Sequence, residues 1–231
     1  MNTPLFTINH LDAWYRKDRL VLSDFSIALA EHEAVGLIGL NGAGKTTFFK
    51  VLSGLLPTFR TGEILFRGKP AAFRDEAFKR CRYTVFAEDH SFQYFTFAEY
   101  LSYVFSAYQK RQPDITELLQ AFHFEDFTNV LLKDLSTGNR KKVFLITAFA
   151  LKPPLLLLDE PVNGLDFQST EAFYRLIADY KTVGTVLFSS HILESVTLSA
   201  DRVLILENGQ IRQAFSQGQL SGMNLREVLH E

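Results

Sequence analysis

Cysteine occurs once in these 231 residues, at Cys81, which excludes an internal disulfide and fits a reducing compartment. Long apolar runs are missing too. The longest, Leu155–Leu158 and Phe144–Leu151, fall far short of the ~20 residues that cross a bilayer. The opening Met1-Asn2-Thr3-Pro4-Leu5 has neither a basic stretch nor an apolar core, so no secretory leader is expected. A cytoplasmic protein is expected, one that would borrow any membrane part from another chain. Charge of one sign is also lacking. A net charge of −2 gives no global argument for nucleic acid or anionic lipid, and no nucleic-acid partner is expected. There is no internal repeat and no low-complexity linker. What remains is ordinary for a globular protein: 47% hydrophobic and 22% charged residues, enough to bury the core of one large domain or of one domain with a lobe.

The most informative stretch is Gly39-Leu40-Asn41-Gly42-Ala43-Gly44-Lys45-Thr46-Thr47, an ungapped G-x-x-x-x-G-K-[ST]. An apolar, strand-like run, Ala34–Ile38, precedes it. A helical pattern of Phe48, Phe49, Val51 and Leu52 follows, with Gly54 as a stop. Strand, glycine loop and helix in that order form a phosphate cradle, because the loop N–H groups converge and the helix N-terminus adds partial positive charge. Lys45 is placed to reach β- and γ-phosphates, and the Thr46 hydroxyl to ligate Mg²⁺.

Leu155–Leu158 has no alternation, as expected of a parallel strand covered on both faces. Asp159 and Glu160 follow it, at the end of the strand where ligands sit in open α/β sheets. Asp159 can hold Mg²⁺, directly or through water. Glu160 can orient or deprotonate a water for in-line attack. Ser136 is a good N-cap for a helix beginning Thr137-Gly138-Asn139, which offers a second anion-seeking N-terminus.

Around these motifs, Phe6–Asn9 and Leu22–Leu29 read as paired strands, with Trp14–Asp18 between them as a polar turn. Phe97, Tyr100, Leu101, Val104, Phe105 and Tyr108 form one apolar helix face, and Pro113-Asp114 starts a second helix. Helices are expected near Phe167–Lys181 and Ile192–Leu198, strands at Thr185–Ser189 and Val203–Leu206, and a hairpin at Asn208-Gly209.

The order GLNGAGKTT, LSTGN, LLLLDEP, NGLD, SSH resembles the nucleotide-binding domain of the ABC transporter ATPases, over essentially the whole chain. The resemblance implies an α/β fold over residues 1–231: a P-loop NTPase core with a mixed parallel sheet, an N-terminal antiparallel β subdomain, and an α-helical subdomain inserted at roughly 88–140. It implies ATP and Mg²⁺ as cofactors. Tyr15 matches the aromatic that stacks on adenine, and Asn41, Gly42, Ala43, Gly44, Lys45, Thr46 and Thr47 match the phosphate cradle. Asp166 matches the residue that communicates across a dimer, and His191 the histidine that contacts the γ-phosphate. Two such domains, identical or not, would dimerise head to tail. Ser136, Thr137, Gly138 and Asn139 of one would then close over the ATP held by Lys45 of the other. A separate integral membrane permease is implied, with the chain at the cytoplasmic face of the membrane. In the family, the region around Phe92, Tyr94 and Phe95 contacts that membrane subunit. These three aromatics precede the helical stripe, do not belong to it, and are expected to line the docking groove for a short helix of that subunit.

Departures from the family pattern bear on rate. Read without gaps, the family's usual Gln falls on Ala87, followed by Glu88. Alanine cannot ligate Mg²⁺ or hold the attacking water, so either Glu88 substitutes or the contact is absent. Thr137 replaces a usual Gly and Asn139 a usual Gln. Hydrolysis is expected, and these departures could make it slow. The segment from Ser189 to Val196 and the early end of the chain resemble small single-domain exporter ATPases, so export is the expected direction. Two other readings stand beside it: a soluble ABC-type ATPase for assembly or repair, and an ATP-responsive binding module with weak hydrolysis.

Overall fold

The computed structural model describes residues 3–190, 196 and 199–220. Two sheets carry the fold. The first pairs β1 (Phe6–Arg16) antiparallel with β2 (Arg19–Leu29) on one side and with β5 (Glu63–Phe66) on the other. The short β4 (Phe59–Arg60) and β6 (Lys69–Pro70) extend it. The second has six strands in the order β11-β10-β3-β9-β8-β7, where β3 is Ala34–Ile38, β7 Arg82–Val85, β8 Leu155–Leu158, β9 Thr185–Ser190, β10 Arg202–Glu207 and β11 Gln210–Ser216. All its pairings are parallel except β10 with β11, which the Asn208-Gly209 turn joins as an antiparallel hairpin. Both turn residues have positive φ, 48° and 78°, which is what a tight primed hairpin turn requires.

Strands β3 and β8 are buried along their whole length because each serves two cores. Val35, Leu37, Leu155 and Leu157 face the β1/β2 side, with Phe6, Phe25, Phe48 and Phe49. Ala34, Ile38, Leu156 and Leu158 face the helical side, with Phe97, Phe122, Phe144 and Phe149. Period-2 side-chain alternation therefore divides one leucine run between two hydrophobic layers, each buried leucine contributing about 1.5–3 kcal/mol.

Between β7 and β8 lie α3 (Phe97–Ala107), α4 (Thr116–Ala121) and α5 (Thr137–Leu151). A reciprocal capping box between Thr96 and Glu99 starts α3. Helix α4 begins at Thr116, two residues after Asp114, whose carboxylate accepts from the Thr116 N–H. Helix α5 is buried continuously from Lys141 to Leu151. Helices α1 (Lys45–Leu52), α2 (Glu76–Arg80), α6 (Phe167–Tyr180) and α7 (Gln217–Leu220) complete the described fold.

Two expectations need correction. Trp14, Tyr15 and Arg16 are not in a turn. They remain in β1, with Trp14 opposite Leu20 and Arg16 opposite Arg19, leaving only Lys17 and Asp18 to reverse the chain; aromatic side chains favour the pleated pairing over a loop. Phe92 and Phe95 are not separate from the helical stripe, since the Phe92 ring lies 5.0 Å from Tyr100 and 5.4 Å from Phe95. Helix α2 had no counterpart in the sequence reading. The expected helix at Ile192–Leu198 falls mostly outside the described residues.

Candidate functional site

The loop between β3 and α1 turns sharply at two glycines. Gly44 is the N-cap of α1 with φ 113°, and Gly42 has φ 86°, a region that side chains with a Cβ rarely enter. The hairpin turn of β10–β11 braces this loop: the Gly209 N–H donates to the Ala43 carbonyl at 3.1 Å, and the Ser23 N–H donates to the Gly209 carbonyl at 3.1 Å. Lys45 is 6% exposed and folds back over its own loop, donating to the Gly39 carbonyl at 2.6 Å, with Glu160 Oε1 3.5 Å from its Nζ.

The carboxylates converge on the same place. The Thr46 hydroxyl donates to Asp159 Oδ2 at 2.7 Å. The Ser189 hydroxyl donates to Asp159 Oδ1 at 2.8 Å and accepts from the Glu160 N–H at 2.9 Å. Asp159 and Ser189 are completely buried. Glu160 sits at positive φ, 46°, and its other carboxylate oxygen accepts from the Asn163 amide. Register produces this meeting. Strand β8 lies between β7 and β9, so the residues just past its end stand beside Ser189 and within reach of the helix that follows β3.

A cleft of about 300 Å³ opens over this network, lined by Tyr15, Val21, the 40–47 loop and Glu160. Tyr15 is half-exposed, with Lys50 Nζ 5.6 Å from its ring centroid. The cleft thus offers an aromatic, the loop backbone, the Lys45 ammonium, the Glu160 carboxylate and the Thr46 hydroxyl, which is bonded to the buried Asp159. That is a set of surfaces for a base, a polyphosphate and its counter-ion. Thr46 and Asp159 supply hard oxygen donors. Among the described residues no cluster of three or more His, Cys, Asp or Glu could hold a metal unaided. These donors fit Mg²⁺, which takes one or two protein oxygens and draws the rest from phosphates and water.

Ser136–Asn139 lie outside this cleft. Ser136 caps α5, its hydroxyl accepting from the Asn139 N–H at 3.2 Å. Thr137 is exposed. Gly138 is different: a Cβ there would stand 2.4 Å from the Gly164 carbonyl oxygen, so only glycine lets α5 rest on the 163–166 loop. Asp166 is engaged within its own chain. It caps α6 through the Ser169 N–H at 2.8 Å and accepts from Lys142 at 2.7 Å. Partial burial pushes its carboxyl up, but hydrogen bonds from Lys142 and Ser169 outweigh this and hold it well below the usual carboxylate range. Glu88 is not among the residues that line the cleft. It is exposed and lines a separate groove with Thr137, Arg140 and Lys141. His191 lies outside the described residues.

The sequence reading missed Ser189, Lys141 and Lys142. Ser189 had a signal, a serine at the end of a strand next to the acidic pair. The two lysines had a weaker one, adjacent charges leading directly into the apolar run Val143–Ile146.

The sequence profile of the ABC transporter family matches residues 22–163. The chain belongs to the ABC transporter family. It binds and hydrolyses ATP, as ATP-binding subunits of that family do. It is 37% identical over 225 residues to AlbC of Bacillus subtilis (strain 168), described as an ABC transporter ATP-binding protein, covering 93% of each chain. It is 33% identical over 217 residues to the ABC-type transporter ATP-binding protein EcsA of the same organism, covering 90% of this chain and 85% of EcsA. A solved ATP-binding subunit of an ABC transporter superposes with a TM-score of 0.87 at 29% identity, covering 98% of this chain and all of that one.

Proposed function

We propose that this ABC subunit powers transport, with export as the direction, through a separate integral membrane permease at whose cytoplasmic face it sits. Among the described residues no helix is long and apolar enough to cross a membrane. In this reading residues 1–231 form one ATPase domain, with 88–140 as its helical subdomain. The observation that carries the site assignment is the convergence of Lys45, Thr46, Asp159, Ser189 and Glu160 at hydrogen-bonding distances.

Each residue then has a role. Tyr15 stacks on adenine, and Asn41 to Thr47 cradle the phosphates. Lys45, which already leans on carbonyl oxygens and on Glu160, exchanges those contacts for phosphate oxygens. Thr46 and Asp159 hold Mg²⁺, which supplies charge neutralisation at the phosphates when bound. Glu160, held by Asn163 and by its own N–H on Ser189, orients the attacking water and accepts its proton. Ser136, Thr137, Gly138 and Asn139 face the nucleotide of a second ATPase domain, in a homodimer or a heterodimer, and His191 contacts the γ-phosphate. Asp166 communicates between the two by way of the loop it anchors. ATP binding closes the pair and hydrolysis releases it.

The half-exposed Tyr103 packs on Phe92 and Phe95, and Tyr94, with 77% of its surface exposed, has Lys133 Nζ 5.0 Å from its ring centroid. This exposed aromatic surface is our candidate for the permease contact.

The test is nucleotide binding and size-exclusion chromatography. Lys45→Ala is expected to abolish MgATP uptake, and Glu160→Gln to trap an ATP-bound dimer. Uptake unchanged in Lys45→Ala would remove the site assignment. A Glu160→Gln chain that stays monomeric in ATP would remove Glu160 from its role. Co-purification of a multi-span membrane protein from native membranes separates transport from a soluble assembly or repair activity.

A further inference from the structure

Lys141 is 4% exposed, yet it carries an ammonium. Its Nζ donates to the Phe86 carbonyl at 2.9 Å and, closer still, to the Ala87 carbonyl. These carbonyls directly follow β7, on the loop that carries Ala87. The residue before them, Val85, accepts from the Asp159 N–H at 2.8 Å. A short, fully bonded path therefore runs from Asp159 through Val85, Phe86 and Ala87 to Lys141. Lys141 is one turn beyond Thr137 on α5, so it moves with the helix end that displays Ser136 and Gly138. Next to it, Lys142 ties the same helix to Asp166 and to the Phe122 carbonyl.

A buried ammonium is held this way only if its donors stay satisfied. Burial lowers the Lys141 pKa to about 8, against the opposing pull of Asp159, Glu160, Asp89 and Glu88. If the loop shifted relative to α5, that charge would be left without acceptors, so loop and helix move together or not at all.

We infer that Lys141 is a positioning residue: it locks the main chain after β7, and with it the Asp159–Glu160 carboxylates, to the helix that Ser136 begins. Contact between an ammonium and two main-chain carbonyls provides here a link that alanine at position 87 cannot. The inference rests on the site reading given above.

Lys141→Met keeps the stem and removes the donors. It is expected to lower kcat for ATP by roughly tenfold to a hundredfold, while KM for ATP and MgATP affinity stay within about twofold. Hydrogen exchange at the amides of 86–90 should rise, with that of 39–47 unchanged. Lys141→Arg, which keeps donors and reach, should recover most of the rate. A kcat within about twofold of wild type in Lys141→Met, equal losses in Lys141→Met and Lys141→Arg, or unaltered exchange at 86–90 would each overturn the inference. Should Lys141→Met not fold, Lys141→Gln, shorter but still a donor, is expected to show a smaller fall in kcat with the same rise in exchange. No change in either would refute it. Failure of wild type to take up MgATP would instead refute the site reading, and the exchange experiment would still report on the lock.

Discussion

Ser189→Ala removes a single oxygen and strands two groups. In the native chain that oxygen donates to Asp159 Oδ1 and accepts from the Glu160 N–H, at 2.8 and 2.9 Å, in a fully buried position. A buried polar group that loses its partner costs about 1–3 kcal/mol, with charged groups toward the upper end. Two such groups, one of them a carboxylate, give a loss of about 3 kcal/mol, far above what a missing hydroxyl of that volume would cost in packing. For a domain of this size that is a fall in Tm of about 6–12 °C. Urea denaturation should show a lower midpoint at unchanged slope, since the surface exposed on unfolding is the same. MgATP hydrolysis should fall as well, because Asp159 and Glu160 lose the hydroxyl that fixes one against the other. A stability loss under about 0.5 kcal/mol, the range of ordinary surface substitutions, would refute the claim that Ser189 holds the acidic pair in place.

Gly138→Ala puts a Cβ 2.4 Å from the Gly164 carbonyl oxygen and should cost about 1–3 kcal/mol through overpacking. Thr137→Gly, at the exposed neighbour, should cost no more than about 1 kcal/mol, the helix penalty of glycine; equal losses in thermal melts would contradict the packing argument. Asp166 has a native pKa lowered from its ordinary 3.8, so its stabilising effect is fully present above that value and is lost as pH falls below it. Asp166→Asn should therefore flatten the decline in stability below about pH 4. An acid limb as steep as that of wild type would show that the Lys142–Asp166 contact does not contribute.

The phosphate loop, the leucine strand with its acidic end, the Ser136 cap and the Asn-Gly hairpin were legible in the sequence because each is a local pattern with a local cause. Ser189 was not read as part of the site because its role comes from strand order: it meets Asp159 only because β9 lies next to β8. Helix α5 defeats periodicity, since it is buried on every side from Lys141 onward and presents no polar face to read. In that setting two adjacent lysines look like solvated surface charges, and only their carbonyl and carboxylate partners reveal otherwise. Tyr15 was legible as a candidate but Trp14 beside it was not excluded. In the structure Tyr15 lines the cleft and Trp14 is not among its lining residues.

The bond from Gly209 to Ala43 spans most of the polypeptide. During synthesis the glycine turn of the cradle emerges early, while the hairpin that steadies it is still untranslated. A nascent chain stalled before Arg202 would carry the complete cradle motif with the Ala43 carbonyl lacking this brace. Competence to grip a nucleotide firmly should therefore arrive late and abruptly on the ribosome, well after the motif itself has left the tunnel.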